Sequence, residues 1–167
     1  MTPEMLLATA IDPALSLVDP KYRTDAARAM LIAIALQETG LNARRQVLGV
    51  GRWWLYPTSP GTGFWQFEKH GGVKGVLTHP VASKFIAPLL VALEYPSKCA
   101  VIHEALVHND DLACLMARAL LWTVPAPLPG RDNPAEGWRQ YISVWRPGKP
   151  HPETWDKHYA TAWRAVA

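Results

Sequence analysis

Glu38 closes a helical run, Met30-Leu-Ile-Ala-Ile-Ala-Leu36-Gln37, that is apolar on nearly every face and so belongs inside a core rather than on a surface. A carboxyl at the end of such a helix is drawn away from water, and the negative end of the helix dipole lies beside it. Both effects disfavour the ionised form and raise its pKa, unless Arg44 or Arg45 comes close enough to reverse the sign. A glutamic acid tuned upward is a general acid near neutral pH. Glu68 is a second carboxylate, two positions beyond Gln66, and on an extended segment residues 66 and 68 share a face. A pair of carboxyls of this kind can divide the work of proton donor and water-positioning base.

Other chemistry-bearing residues are less well arranged. His103 and His108 flank Glu104 at a separation of five, and at 100° per residue two such histidines diverge by about 140°, a poor shared face for a metal. No metal or cofactor is expected. The glycines of Gly71-Gly-Val-Lys-Gly75 lack a phosphate loop's spacing and ending. Cys99 and Cys114 form no CxxC motif, and their spacing alone leaves open whether they pair. Asp110 and Asp111 follow Asn109 in a helix's first turn, where the dipole accounts for them.

The elements that must position Glu38 can be read from caps and prolines. Thr24 or Asp25 caps the helix that carries it, and Gly40 takes the left-handed position that stops it. Further helices are expected over residues 79–95, 97–107, 109–123, 133–145 and 152–166, with Pro88 splitting or kinking the first of them. Pro3, Pro80, Pro134 and Pro152 stand where a first helical turn needs no N–H. Trp155, Tyr159 and Trp163 recur every four residues, a core stripe. Between Leu41 and Thr78, glycines interrupt short aromatic pieces and no helical period is sustained. The expected fold is therefore mainly α, one domain over residues 1–167, with helices around a Gly- and aromatic-rich loop or short β-hairpin insert.

With 167 residues, 49% apolar and 19% charged, the chain has the composition of an ordinary globular domain rather than a disordered tail. No stretch approaches the roughly 20 apolar residues of a membrane span, and Glu4 stands where a signal peptide would carry a cation. The net charge of +3 is too small to announce nucleic-acid binding. Its surplus lies between residues 37 and 75, where Arg44, Arg45, Arg52, Lys69 and Lys74 outnumber Glu38 and Glu68. Such a field would favour an anionic polymer as partner.

The segment Ala33-Ile-Ala-Leu-Gln-Glu38-Thr-Gly-Leu-Asn42 resembles the catalytic segment of the lysozyme-like lytic transglycosylases, matching at Glu38, Gly40 and Asn42 with Thr39 in place of Ser. Gly63-Phe-Trp-Gln66-Phe67 resembles that family's second motif, which lines the sugar cleft. Gln66 follows Glu38 by 28 positions, longer than the family's usual interval, and Val47–Tyr56 accounts for the excess as a lip of the cleft. The family's third motif, a Tyr-Asn pair whose Tyr orients the Glu or the sugar, has no literal copy. Trp122, in Ala119-Leu-Leu-Trp-Thr123, is the positional substitute.

The resemblance implies a lysozyme-like fold of the α+β superfamily and cleavage of the β-1,4 bond between N-acetylmuramic acid and N-acetylglucosamine in peptidoglycan. In a lytic transglycosylase one Glu donates and then removes a proton, and Glu38 holds that place. If water attacks instead, Glu68 is the second carboxylate. Gln66, Gly63, Phe64 and Trp65 would line the sugar site, with Trp54, Trp53 and Trp122 as further flat faces for pyranose C–H groups. A phage setting is implied, with anionic cell-envelope polymers as the further partner: a bacteriolytic enzyme held in the host cytoplasm before release to the wall, or carried on a virion, and otherwise monomeric. Two other classes of function fit the residues: a non-catalytic glycan-binding or virion structural protein, and a single-stranded nucleic-acid binder using Arg44, Arg45, Arg52, Trp53 and Trp54.

Overall fold

The computed structural model describes residues 1–45 and 60–167, so the expected lip at 47–56, with Arg52, Trp53 and Trp54, lies outside the described residues. The chain opens with α1 (Pro3–Leu6), capped by Thr2, whose hydroxyl accepts from the Met5 amide at 3.2 Å. It continues through a widened π-helical turn, Leu7–Ile11, into α2 (Asp12–Ser16). The widened turn lies directly ahead of Pro13, whose ring would strike the Thr9 carbonyl in a regular α-helix.

A 3-10 turn at Pro20–Tyr22 leads to α3 (Asp25–Thr39), capped by Thr24 and stopped by Gly40 at φ 57°, as its sequence predicts. Eight of its residues, among them Met30, Leu31, Ile32 and Ile34, are buried. It is the central helix, and its most extensive partner is the last helix, α9 (Pro152–Ala165).

The Gly-rich segment forms a β-hairpin, β1 (Gly61–Thr62) against β2 (Phe67–Glu68), antiparallel with Gly61 opposite Glu68 and Thr62 opposite Phe67. Its turn needs left-handed backbone twice, at Gly63 (φ 71°) and Gln66 (φ 50°). A Cβ at Gly63 would also lie 3.0 Å from the Leu106 carbonyl. The turn's aromatics point inward. Trp65 is fully buried, and its indole donates to the Leu31 carbonyl of α3 at 2.9 Å, which fastens the hairpin to the central helix.

A second π-helical turn, Lys69–Val73, leads to α4 (Lys74–Thr78) and then α5 (Ala82–Ala92), with Pro88 inside it. The expected start of this helix at His79-Pro80 moves to Ala82, because the His79 imidazole accepts from the Val81 and Ala82 amides and holds residues 79–81 in a turn. Next come α6 (Cys99–Ala105), α7 (Asp110–Leu121) capped by Asn109, and α8 (Pro134–Trp145) capped by Asn133.

Within α8, Gly137 admits the aromatic stripe of α9: a Cβ there would fall 2.8 Å from the Tyr159 ring. Trp155 and Tyr159 are buried and Trp163 is half-buried, so the stripe is core as expected. Cys99 and Cys114 are both free thiols. The architecture is mainly helical with one two-stranded sheet, and among the described residues no single helix is long and apolar enough to cross a membrane.

Candidate active site

Glu38 occupies the last turn of α3, and α8 comes to meet it. Tyr141, itself buried, donates its hydroxyl proton to Glu38 Oε1 at 2.6 Å. The Tyr141 ring is fixed from behind by Trp155, stacked at 5.4 Å and 7°. One turn further along α8, the Trp145 indole donates to the Trp65 carbonyl at 3.0 Å, so α8 and the hairpin are tied at the same place. Thr39 joins the end of α3 to that hairpin as well, its hydroxyl 3.3 Å from the Phe64 carbonyl and 3.0 Å from that of Ala35.

Burial raises the Glu38 pKa to about 7, and the Glu68 charge pushes in the same direction while the Tyr141 hydrogen bond opposes them. Desolvation is the largest cause, as the apolar helix predicts. Neither arginine reverses the sign. Arg44 grips Asp110 through both carboxylate oxygens, at 2.8 and 2.6 Å, with its guanidinium 4.4 Å from the centre of the Phe64 ring. Arg45 pairs with Glu104 at 2.7 Å. Asp110 therefore has a partner beyond the helix dipole, and Arg44 and Arg45 are neutralised locally. Burial and the Glu38 charge hold the Tyr141 hydroxyl well above the ordinary phenol range, so it stays a neutral donor.

Glu38 opens into a cleft of about 1240 Å³. Gln66 and Glu68 of the hairpin lie in it with Glu38, Tyr141, Trp145 and Phe67. Gln66 donates from Nε2 to the Gly63 carbonyl at 2.9 Å, and a Cβ at Gly61 would fall 2.6 Å from its Oε1, so the glycines on both sides set where this amide lies. Glu68 is exposed in the cleft.

The structure thus brings Glu38, Gln66 and Glu68 together and separates them from the remaining expected contacts. Gly63, Phe64 and Trp65 are buried and do not line the cleft, because the tight turn directs both aromatic rings into the core; of the three, Gly63 holds Gln66, through its carbonyl. Trp122 is likewise displaced from the expected sugar site. It stands 40% exposed, edge-on to Tyr22 at 4.6 Å and 5.3 Å from the Arg118 guanidinium, and is not part of the cleft lining. Trp54 lies outside the described residues.

Tyr141 hydrogen-bonds to Glu38, and the tryptophan that lines the cleft is Trp145. Both were carried by a legible signal, Trp138, Tyr141 and Trp145 on one face of a helix correctly placed at 133–145.

His103 and Glu104 are engaged outside the cleft. His103 Nε2 lies 3.1 Å from the Pro60 carbonyl, Glu104 pairs with Arg45, and among the described residues no three His, Cys, Asp or Glu side chains could hold a metal ion together. A smaller hollow of about 320 Å³, with Arg131, Asp156 and Trp163 in its walls, shares no lining residue with the cleft.

No family model, curated protein or solved structure matches this chain. The site therefore speaks through its chemistry. A carboxyl that titrates near 7 is populated in both forms at neutral pH, can donate a proton to a leaving oxygen and can later take one back. It sits in a cleft of about 1240 Å³, beside an amide and a second carboxylate.

Proposed function

We propose that this chain is a lysozyme-like, peptidoglycan-degrading enzyme that cleaves the β-1,4 bond between N-acetylmuramic acid and N-acetylglucosamine. The observation that carries the reading is Glu38, raised to about 7 by burial and held by Tyr141 at the wall of the cleft. Its protonated form donates to the glycosidic oxygen as the bond breaks, and the resulting carboxylate stabilises the positive charge developing on the sugar. Two completions are open to this site. In lytic transglycosylation the muramic sugar's own 6-hydroxyl attacks the anomeric carbon and gives its proton to the Glu38 carboxylate. In hydrolysis a water attacks, with Glu68 to position it.

The fold supports this reading by placing Glu38 at a buried helix end, with Gln66 and Glu68 of a Gly-rich hairpin in the same cleft. The sequence resemblance at Glu38, Gly40, Asn42 and Gln66 supports the lysozyme-like reading and, with it, a phage, bacteriolytic setting. The test is the rate at which purified cell walls are solubilised by the wild type and by Glu38→Gln. A general acid is worth roughly 10²- to 10⁴-fold, so the variant should lose at least that much while keeping its fold. Near-normal turnover in Glu38→Gln contradicts the assignment.

A further inference from the structure

Within the cleft, charge is segregated. Glu38 and Glu68 come from α3 and the hairpin, whereas Arg146 and Lys149 come from the linker between α8 and α9. Among the described residues neither cation makes an ion pair, in contrast to Arg44 and Arg45. Among the described residues the Arg146 side chain donates only to the Ser143 carbonyl, at 3.2 Å, in the last turn of α8.

The linker Arg146-Pro-Gly-Lys149-Pro-His151 is also held at both ends. Trp145 is tied to the hairpin through the Trp65 carbonyl, and the His151 carbonyl accepts from Gln37 Nε2 at 2.9 Å, one residue before Glu38. Pro147 and Pro150 stiffen the span between, and Arg146 turns the chain out of α8 with left-handed backbone, φ 49°. Arg146 and Lys149 line the same cleft as the Tyr141–Glu38 pair.

Building on the glycan reading, we propose that Arg146 and Lys149 select the substrate by binding a carboxylate carried as a side branch on the sugar backbone, and so favour muramic glycan over neutral chitin-like glycan. Such a carboxylate has two sources, the lactyl ether of a muramic residue or the stem peptide attached to it. A neutral polymer of N-acetylglucosamine has neither.

The test measures binding to Glu38→Gln by quenching of tryptophan fluorescence, with three tetrasaccharides: N-acetylglucosamine only, muramic with the peptides removed, and muramic with the peptides attached. Either carboxylate-bearing glycan should bind about 10-fold tighter than the neutral one at low salt, and the gap should shrink as salt rises. Tighter binding by the peptide-free muramic form identifies the lactyl carboxylate; tighter binding by the peptide-bearing form alone identifies the stem peptide.

Adding Arg146→Asn, which tolerates the left-handed backbone, and Lys149→Gln should reduce the gap to within about twofold while leaving neutral-glycan binding in place. Equal binding of all three glycans, or a gap that survives the double substitution, overturns this inference and leaves the glycan reading standing. Failure of all three to bind overturns both.

Discussion

The Tyr141 hydroxyl donates to Glu38 Oε1 at 2.6 Å, joining residues 103 positions apart in the chain. The bond opposes the environment that surrounds it, because hydrogen bonding favours the carboxylate whereas burial favours the acid. The balance leaves Glu38 near 7, where one residue can act first as acid and then as base.

Removing that donor should move the pH profile upward. A hydrogen bond to a charged group is worth roughly 1.5–3 kcal/mol, so Tyr141→Phe should raise the Glu38 pKa by about one to two units. Activity that needs the acid form would then persist to higher pH, with kcat lowered about tenfold by lost orientation. The pH dependence of kcat/KM in the two proteins checks this; an alkaline limb that stays in place or moves to lower pH contradicts it.

Glu68→Gln should act with the opposite sign. The Glu68 charge helps to raise Glu38, so neutralising it lowers the Glu38 pKa and brings the alkaline limb to lower pH. The same variant separates the two chemical completions. Loss of roughly 10²-fold or more in rate marks Glu68 as a catalytic base, and retention within a few-fold leaves it as a source of field alone.

Glu38 should weaken the fold in which it works. Its pKa rises from 4.5 to about 7 on folding, so between those values the folded state binds more protons than the unfolded chain and stability falls as pH rises. The loss is about 3 kcal/mol once pH exceeds 7. Glu38→Gln keeps an acceptor for Tyr141 and removes the titration, so it should be the more stable protein at pH 8 and near equal to wild type below pH 5. Urea unfolding at the two pH values measures the difference, and a gap independent of pH contradicts the burial of this carboxyl.

Gly63→Ala should cost about 1–3 kcal/mol, because the residue needs φ 71° and its new Cβ would press on the Leu106 carbonyl. Denaturant melts read that cost. Activity should fall with it even where the protein remains folded, because the Gly63 carbonyl holds the Gln66 amide.

What could be read from the sequence was local. The apolar run to Leu36, the Thr24 cap and the Gly40 stop placed Glu38 at a buried helix end, and the Asn109 and Asn133 caps located α7 and α8. What could not be read was pairing across the fold. Trp65 and Trp122 have the composition of a ligand platform, but a two-residue strand and a left-handed turn send one into the core, and α7 carries the other to Tyr22. Tyr141 reaches Glu38 because α8 is fixed by Trp145 on the hairpin and by Trp155 on α9, contacts between distant segments that no local pattern encodes. Arg44 and Arg45 likewise counted as free charge in the sequence, until α6 and α7 supplied Glu104 and Asp110.

The central claim is that Glu38 drives scission of a glycosidic bond, and the masses of the fragments released from purified peptidoglycan test it most directly. The wild type should release muropeptides cut between N-acetylmuramic acid and N-acetylglucosamine, ending in an anhydro sugar lighter by one water if the 6-hydroxyl attacks, or in a hydrated reducing end if water does. Glu38→Gln should release almost none over the same time. Fragments whose glycan is intact and whose peptides are cut, or no fragments at all from the wild type, would contradict the account.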